Sequence, residues 1–156
     1  PDVAWAFRWI GATEDDPRLA DALVDRSLLH ADRLLAFLPP TPHLRANLGT
    51  ADAFVLPSRE DAFPLAALEA AAAGLPVLCF DVGGITDLVG DDAGAVVAFP
   101  DVETMADVLI DWHDHPDRRR ALGATGRRRV IADHDAARHA LAVGAVLDRL
   151  LGGQGP

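Results

Sequence analysis

Apolar residues gather in five short runs, near 3–10 (VAWAFRWI), 33–38 (RLLAFL), 53–56 (AFVL), 76–80 (PVLCF) and 95–99 (AVVAF). Runs of this length, rich in β-branched and aromatic residues and closed by Gly, Pro or Ser, read as strands buried on both faces. Helical spacing fills the intervals. Residues 15–29 start at an Asp-Asp-Pro signal, with Leu19, Leu23 and either Ser27 or Leu28 facing inward. A short helix is predicted over 43–48. Residues 102–113 place Met105, Val108, Leu109 and Trp112 on one side, and 136–151 form an amphipathic helix ending at Gly152-Gly153. Strand and helix alternating in this way predict an α/β, Rossmann-like, doubly wound parallel sheet with right-handed crossovers. The three aromatics of 3–10 are read as core rather than as a stacking platform.

The stretch 52–88, DAFVLPSREDAFPLAALEAAAAGLPVLCFDVGGITDL, organises the rest. Pro57-Ser58 stops the third strand, and the acidic loop 59–62 leads to a helix with Pro64 in its first turn and Gly74 at its end. Between them LAALEAAAA is built of strong helix formers and is apolar nearly all round, which predicts burial against the sheet. Glu69 is the anomaly, because a buried carboxylate costs several kcal/mol unless it is satisfied. Either it sits at the rim or pairs with an arginine, or it faces a ligand. At 1.5 Å rise per residue, Glu69 lies about 8 Å from Pro64 along the axis. A nucleoside diphosphate on the helix N-terminus would therefore bring its ribose hydroxyls near Glu69. After the next strand, Gly83-Gly84 open a second short helix; they read either as a plain tight turn or as a site where backbone closely approaches a ligand.

Composition narrows the choice. With 156 residues, half of them apolar, the chain is long enough for one domain with a proper core. The net charge of -10 disfavours a nucleic-acid surface. Cys79 is the single cysteine and falls in a predicted strand, so no disulfide framework is expected and a reducing, cytoplasmic setting is. No apolar run reaches the about 18 residues of a spanning helix, so a membrane is not indicated by this chain. His113 and His115 are too close in sequence for good shared ligation and lack a third ligand, so no metal is expected. Arg118–Arg120 and Arg127–Arg129 read as solvated faces or as partners of the many aspartates.

The segment PSREDAFPLAALEAAAAGLPVLCFDVGGITDLV resembles the donor-binding segment of retaining, nucleotide-sugar-dependent glycosyltransferases of the GT-B fold, of the mannosyl- and glucosyltransferase type. The family's pattern is Pro-Ser, a glutamate, seven residues, a second glutamate, Ala-x-Ala-x-Gly-x-Pro-Val, and Gly-Gly-x-x-Glu. The second glutamate falls on Glu69, the small-residue run on residues 70–76 and the glycine pair on Gly83-Gly84. Three positions depart from the pattern. The first glutamate is Asp61, the glycine after it is Ala62 and the final glutamate is Asp87. The similarity continues more weakly to about residue 133.

The resemblance implies that Glu69 holds the donor ribose, while Asp61 and the backbone around Ala62, Phe63, Pro64 and Leu65 face the sugar and diphosphate, with Gly83 and Gly84 beside them. It implies a UDP- or GDP-sugar as partner, no cofactor and no metal. Asp61 is one methylene shorter than glutamate, and a misplacement of about 1 Å at a reacting centre can cost on the order of a hundredfold in rate. In the resembled fold the terminal helix crosses back to the partner domain, and the 39–42 loop (PPTP) lies near the nucleobase; the prolines are read in preference as ending a strand.

Against the family pattern, the chain begins at the second strand and has no lysine to clamp a diphosphate. It is therefore expected to be a fragment lacking the first βα unit and the N-terminal acceptor domain, and to transfer no sugar alone. In the order 3-2-1-4-5-6 the absent strand is central. Another copy of the chain, an upstream segment, or direct pairing of 3–10 with 53–56 is expected to close the gap. Two other functions fit the architecture, a nucleotide-sugar 2-epimerase and a degenerate, non-catalytic module. A dinucleotide-binding domain fits least, since no G-x-G-x-x-G follows the first strand.

Overall fold

The computed structural model describes residues 5–11, 13, 15–28 and 34–152. The described residues form strands β1 (Phe7–Ile10), β2 (Leu35–Leu38), β3 (Phe54–Leu56), β4 (Val77–Phe80) and β5 (Gly94–Val97). Helices are α1 (Ala20–Leu28), α2 (Leu44–Leu48), α3 (Leu65–Ala72), α4 (Ile85–Val89), α5 (Val102–Asp114), α6 (Pro116–Asp133) and α7 (Ala136–Gly152). A single 3-10 turn, Pro17–Leu19, precedes α1. Every strand pair is parallel.

The single five-stranded sheet expected from the sequence is instead two sheets, with orders β1-β2 and β3-β4-β5. Of the three ways offered to close the gap, direct pairing of 3–10 with 53–56 is not made among the described residues, where β1 bonds β2 and β3 bonds β4. Residues 3 and 4 of the first predicted strand lie outside the described residues, as do Arg33 of the second and Leu29 of the first helix.

The chain divides into two compact units, 1–44 and 45–156. In the first, Leu19 and Phe37 form a small core with Ala22, Leu23 and Leu35 packed against it. Ser27 is exposed, and the Leu28 side chain lies outside the described residues. The aromatics of β1 are not the core expected of them: Phe7 is 39% and Trp9 48% exposed. Phe7 stacks on Trp5, and Trp9 tilts against Phe37. A two-stranded sheet with one small apolar cluster has too little surface to bury them.

The second unit explains the uninterrupted apolar run of β4. Alternate side chains point to opposite faces. Val77 and Cys79 enter a core with Leu56, Ala67, Ala71, Ile85, Leu88 and Val130. Leu78 and Phe80 enter another with Val97, Met105 and Trp112, where the predicted stripe of α5 lies. Helices thus cover both faces. The Asp101 carboxylate accepts from the Thr104 hydroxyl at 2.6 Å and its amide at 2.9 Å, which caps α5 and holds the Asp101 pKa below the usual carboxylate range.

Helix α6 supplies contacts that sequence spacing did not reveal. A Cβ on Gly123 would stand 2.0 Å from the Gly74 carbonyl oxygen, so only glycine permits this approach of α6 to the end of α3. Arg127 donates to the Ala72 carbonyl, and Arg129 to those of Leu88 and Val89 at 2.6 and 3.0 Å. The arginine triplets therefore bind the terminal carbonyls of α3 and α4 as well as aspartates, among them Asp52, which Arg119 reaches at 2.7 Å. No helix among the described residues is long and apolar enough to cross a membrane.

Candidate functional site

Because β3 and β4 are parallel neighbours, the loop after β3 and the turn after β4 emerge at the same sheet edge. There they lock together. The Gly84 amide donates to the Ala62 carbonyl at 2.8 Å. Gly83 has φ of +64°, and a Cβ there would stand 1.8 Å from the Asp61 carbonyl oxygen. At Gly84 a Cβ would meet the Phe63 ring at 3.1 Å. The close backbone approach that Gly83-Gly84 permit is thus to the chain's own loop, which gives the pair a structural reason beyond a plain turn.

Pro64 is the residue before α3 rather than the first residue in it, with φ of −71° and ψ of 114°. Its buried ring anchors the loop, and its carbonyl accepts from Ala67 and Leu68 at 3.1 and 3.3 Å. No side chain caps the helix. The first amides of α3, on Leu65 and Ala66, have no intrahelical acceptor and carry the positive end of the helix dipole. Leu65 is 69% exposed and Ala66 is exposed, so the first turn of α3 lies at the surface.

Helix α3 is buried against the sheet, as its composition predicts, but on one face only. Ala67, Ala70 and Ala71 are buried, whereas Leu65, Ala66 and Glu69 are exposed. Glu69 follows Leu65 by four residues and shares its outer face. Its carboxylate therefore avoids the burial cost that made it anomalous, and it makes no side-chain hydrogen bond or ion pair with any described residue. It is not locked in a buried pair. Asp61 and Phe63 are half-buried, and Ala62 is exposed.

One neighbour of this loop had no signal in the sequence. The His134 ring lies 5.4 Å from that of Phe63, tilted by 31°. Two shallow hollows lie elsewhere: one of about 240 Å³ at the amino edge beside Asp52, Pro76 and Arg119, and one of about 320 Å³ between β5, α5 and α6. Among the described residues no group of His, Cys, Asp or Glu could hold a metal ion.

Comparison with known proteins agrees with this arrangement. The lipopolysaccharide core mannosyltransferase LpsB of Rhizobium meliloti is 32% identical over 124 residues, 78% of this chain and 35% of that protein. A GDP-mannose-dependent mannosyltransferase of Corynebacterium glutamicum is 37% identical over 94 residues, 56% of this chain and 25% of its own length. The chain thus spans about a third or less of the curated relatives it matches. Among solved structures, sucrose-phosphate synthase of Thermosynechococcus elongatus superposes with a TM-score of 0.83 at 28% identity, over 94% of this chain and 39% of that one. HepE of Anabaena, in complex with UDP-glucose, shares the fold at TM-score 0.84 and 15% identity, over 92% of this chain and 41% of its own. The family described as glycosyl transferases group 1 matches residues 10–129, and the chain belongs to that family.

Proposed function

We propose that this chain is the donor-binding part of a glycosyltransferase that moves a sugar from a nucleoside-diphosphate sugar to an acceptor with retention. The observation that carries this is the uncapped amino end of α3 at the carboxyl edge of the sheet, with Glu69, unpartnered among the described residues, one turn along its exposed face. The free amides of Leu65 and Ala66 and the helix dipole receive the diphosphate. Glu69 accepts from the ribose hydroxyls, and Asp61 faces the sugar. The turn at Gly83-Gly84 holds the Asp61–Phe63 backbone in place. One relative is named for its use of GDP-mannose and one structural neighbour holds UDP-glucose, so both bases are candidates. The acceptor belongs to a further domain of the kind the longer relatives have room for.

Calorimetric titration with UDP, GDP and ADP tests the reading. One of them binds, and Glu69→Ala weakens it by about 1.5–3 kcal/mol, the worth of hydrogen bonds to a charged group, or roughly ten- to a hundredfold in Kd. An unchanged affinity would make Glu69 a solvated helix residue. The shorter Asp61 favours a second reading, a module that binds the nucleotide without supporting transfer; Asp61→Glu, assayed with an acceptor domain, separates the two.

A further inference from the structure

We propose that His134 is a positioning residue for the donor loop, a role that rests on the donor-binding reading above. The backbone of residues 61–63 is fixed on one side by the glycine turn, through the Gly84 amide and the contact at Gly83. The Phe63 side chain is held separately, between Gly84 and the His134 ring at 5.4 Å. Its centroid distance is that of an interacting aromatic pair. The ring thus sets the outer wall of the loop that carries Asp61 and delivers the chain to α3.

His134 can do this because its own backbone is doubly anchored. Its amide bonds the Val130 carbonyl at 2.9 Å at the end of α6. The next residue, Asp135, starts α7: its carboxylate accepts from the Arg138 amide at 2.9 Å and its carbonyl from the His139 amide at 3.0 Å. Helix α6 is in turn seated against α3 through Gly123 and Gly126. The same rigid helix therefore holds the far end of α3 and, through His134, the loop at its near end. A side chain that only covered Phe63 from water would affect stability. One that positions the loop affects loop order and nucleotide affinity out of proportion to stability.

Hydrogen exchange of residues 57–65 and calorimetric titration with UDP and GDP, on the full chain and its His134→Ala and His134→Phe variants, distinguish these roles. His134→Ala is expected to speed loop exchange and weaken nucleotide binding by about three- to tenfold, the range an aromatic pair is worth. Exchange in β4 stays unchanged, and His134→Phe restores both quantities because the ring is retained. Unchanged loop exchange in His134→Ala, with nucleotide binding intact, overturns the inference alone, as does failure of His134→Phe to rescue. Absence of nucleotide binding by the unaltered chain overturns the donor reading, and the positioning role with it.

Discussion

The two ends of α3 are built in opposite ways. At its carboxyl end the Gly74 amide bonds Ala71 at 2.9 Å and the Leu75 amide bonds Ala70 at 3.1 Å, the double closure of a Schellman motif. Arg127 takes the Ala72 carbonyl, and Gly123 brings α6 against the Gly74 backbone. At its amino end no side chain caps the helix, Leu65 is 69% exposed, and Glu69 has no partner among the described residues. The fold thus closes one terminus of this short helix and leaves the other without a side-chain cap. On the donor-binding reading proposed above, holding the fold and holding the nucleotide fall to separate ends of one short helix.

The comparison breaks most visibly at the carboxyl end. Gly123→Val drives a side chain into the Gly74 carbonyl, and backbone meets backbone there, so the loss in denaturant unfolding is at least about 3 kcal/mol, the upper end of overpacking costs. The strand shared by both ends responds to pH instead. Burial, and secondarily Asp81, raises the Cys79 thiol from 9.0 to about 11. Its contribution to stability is complete below pH 9, where the thiol is protonated in both states. It is lost as pH rises from 9 to about 11, because only the unfolded chain releases the proton. With no lysine or tyrosine in the chain, no other side chain titrates in that window. Denaturant midpoints therefore drop between pH 8.5 and 10.5, by on the order of 1–2 kcal/mol, and Cys79→Ala flattens the profile.

At the amino end the effects on stability are smaller and those on binding larger. Gly83→Ala costs about 1–2 kcal/mol for its left-handed backbone alone, and its Cβ must also displace the Asp61 carbonyl, so nucleotide binding falls below detection. Back at the carboxyl end, Arg127→Ala lowers stability by only about 0.5–1 kcal/mol, since the bond to Ala72 is solvent-exposed, and leaves binding unchanged. Leu65→Ser, at a site that touches little, changes stability by less than about 0.5 kcal/mol. A large loss of stability there would mean that the amino end supports the fold after all.

Much of this was legible in the sequence. Strand and helix alternation gave the parallel α/β order, because buried parallel strands are written as short apolar runs. The placement of α5 and α7 followed from helical period, and that of β4 from its uninterrupted apolar run. What could not be read is long-range. Nothing local separates β1-β2 from β3-β4-β5, or shows that Phe7 and Trp9 lack a layer to bury them. The composition of α3 concealed its exposed face, because alanine fits a buried or an open position equally well. Gly123 and Arg127 carry no motif, and their meaning appears only when α6 is laid against α3. Of the candidate site, the loop at Asp61 and the turn at Gly83-Gly84 meet as their shared sheet edge implies, whereas His134 reaches Phe63 from a helix end that no pattern marks.

The central claim is that the amino end of α3 receives the nucleotide, and amide chemical shifts read during a titration with UDP or GDP test it most directly. The account predicts the largest shifts at Leu65, Ala66 and Ala62–Phe63, with Glu69 following, and none at Gly74, Gly123 or Arg127. Shifts centred on the hollow beside Asp52 and Arg119, or spread evenly over both ends of α3, would contradict it.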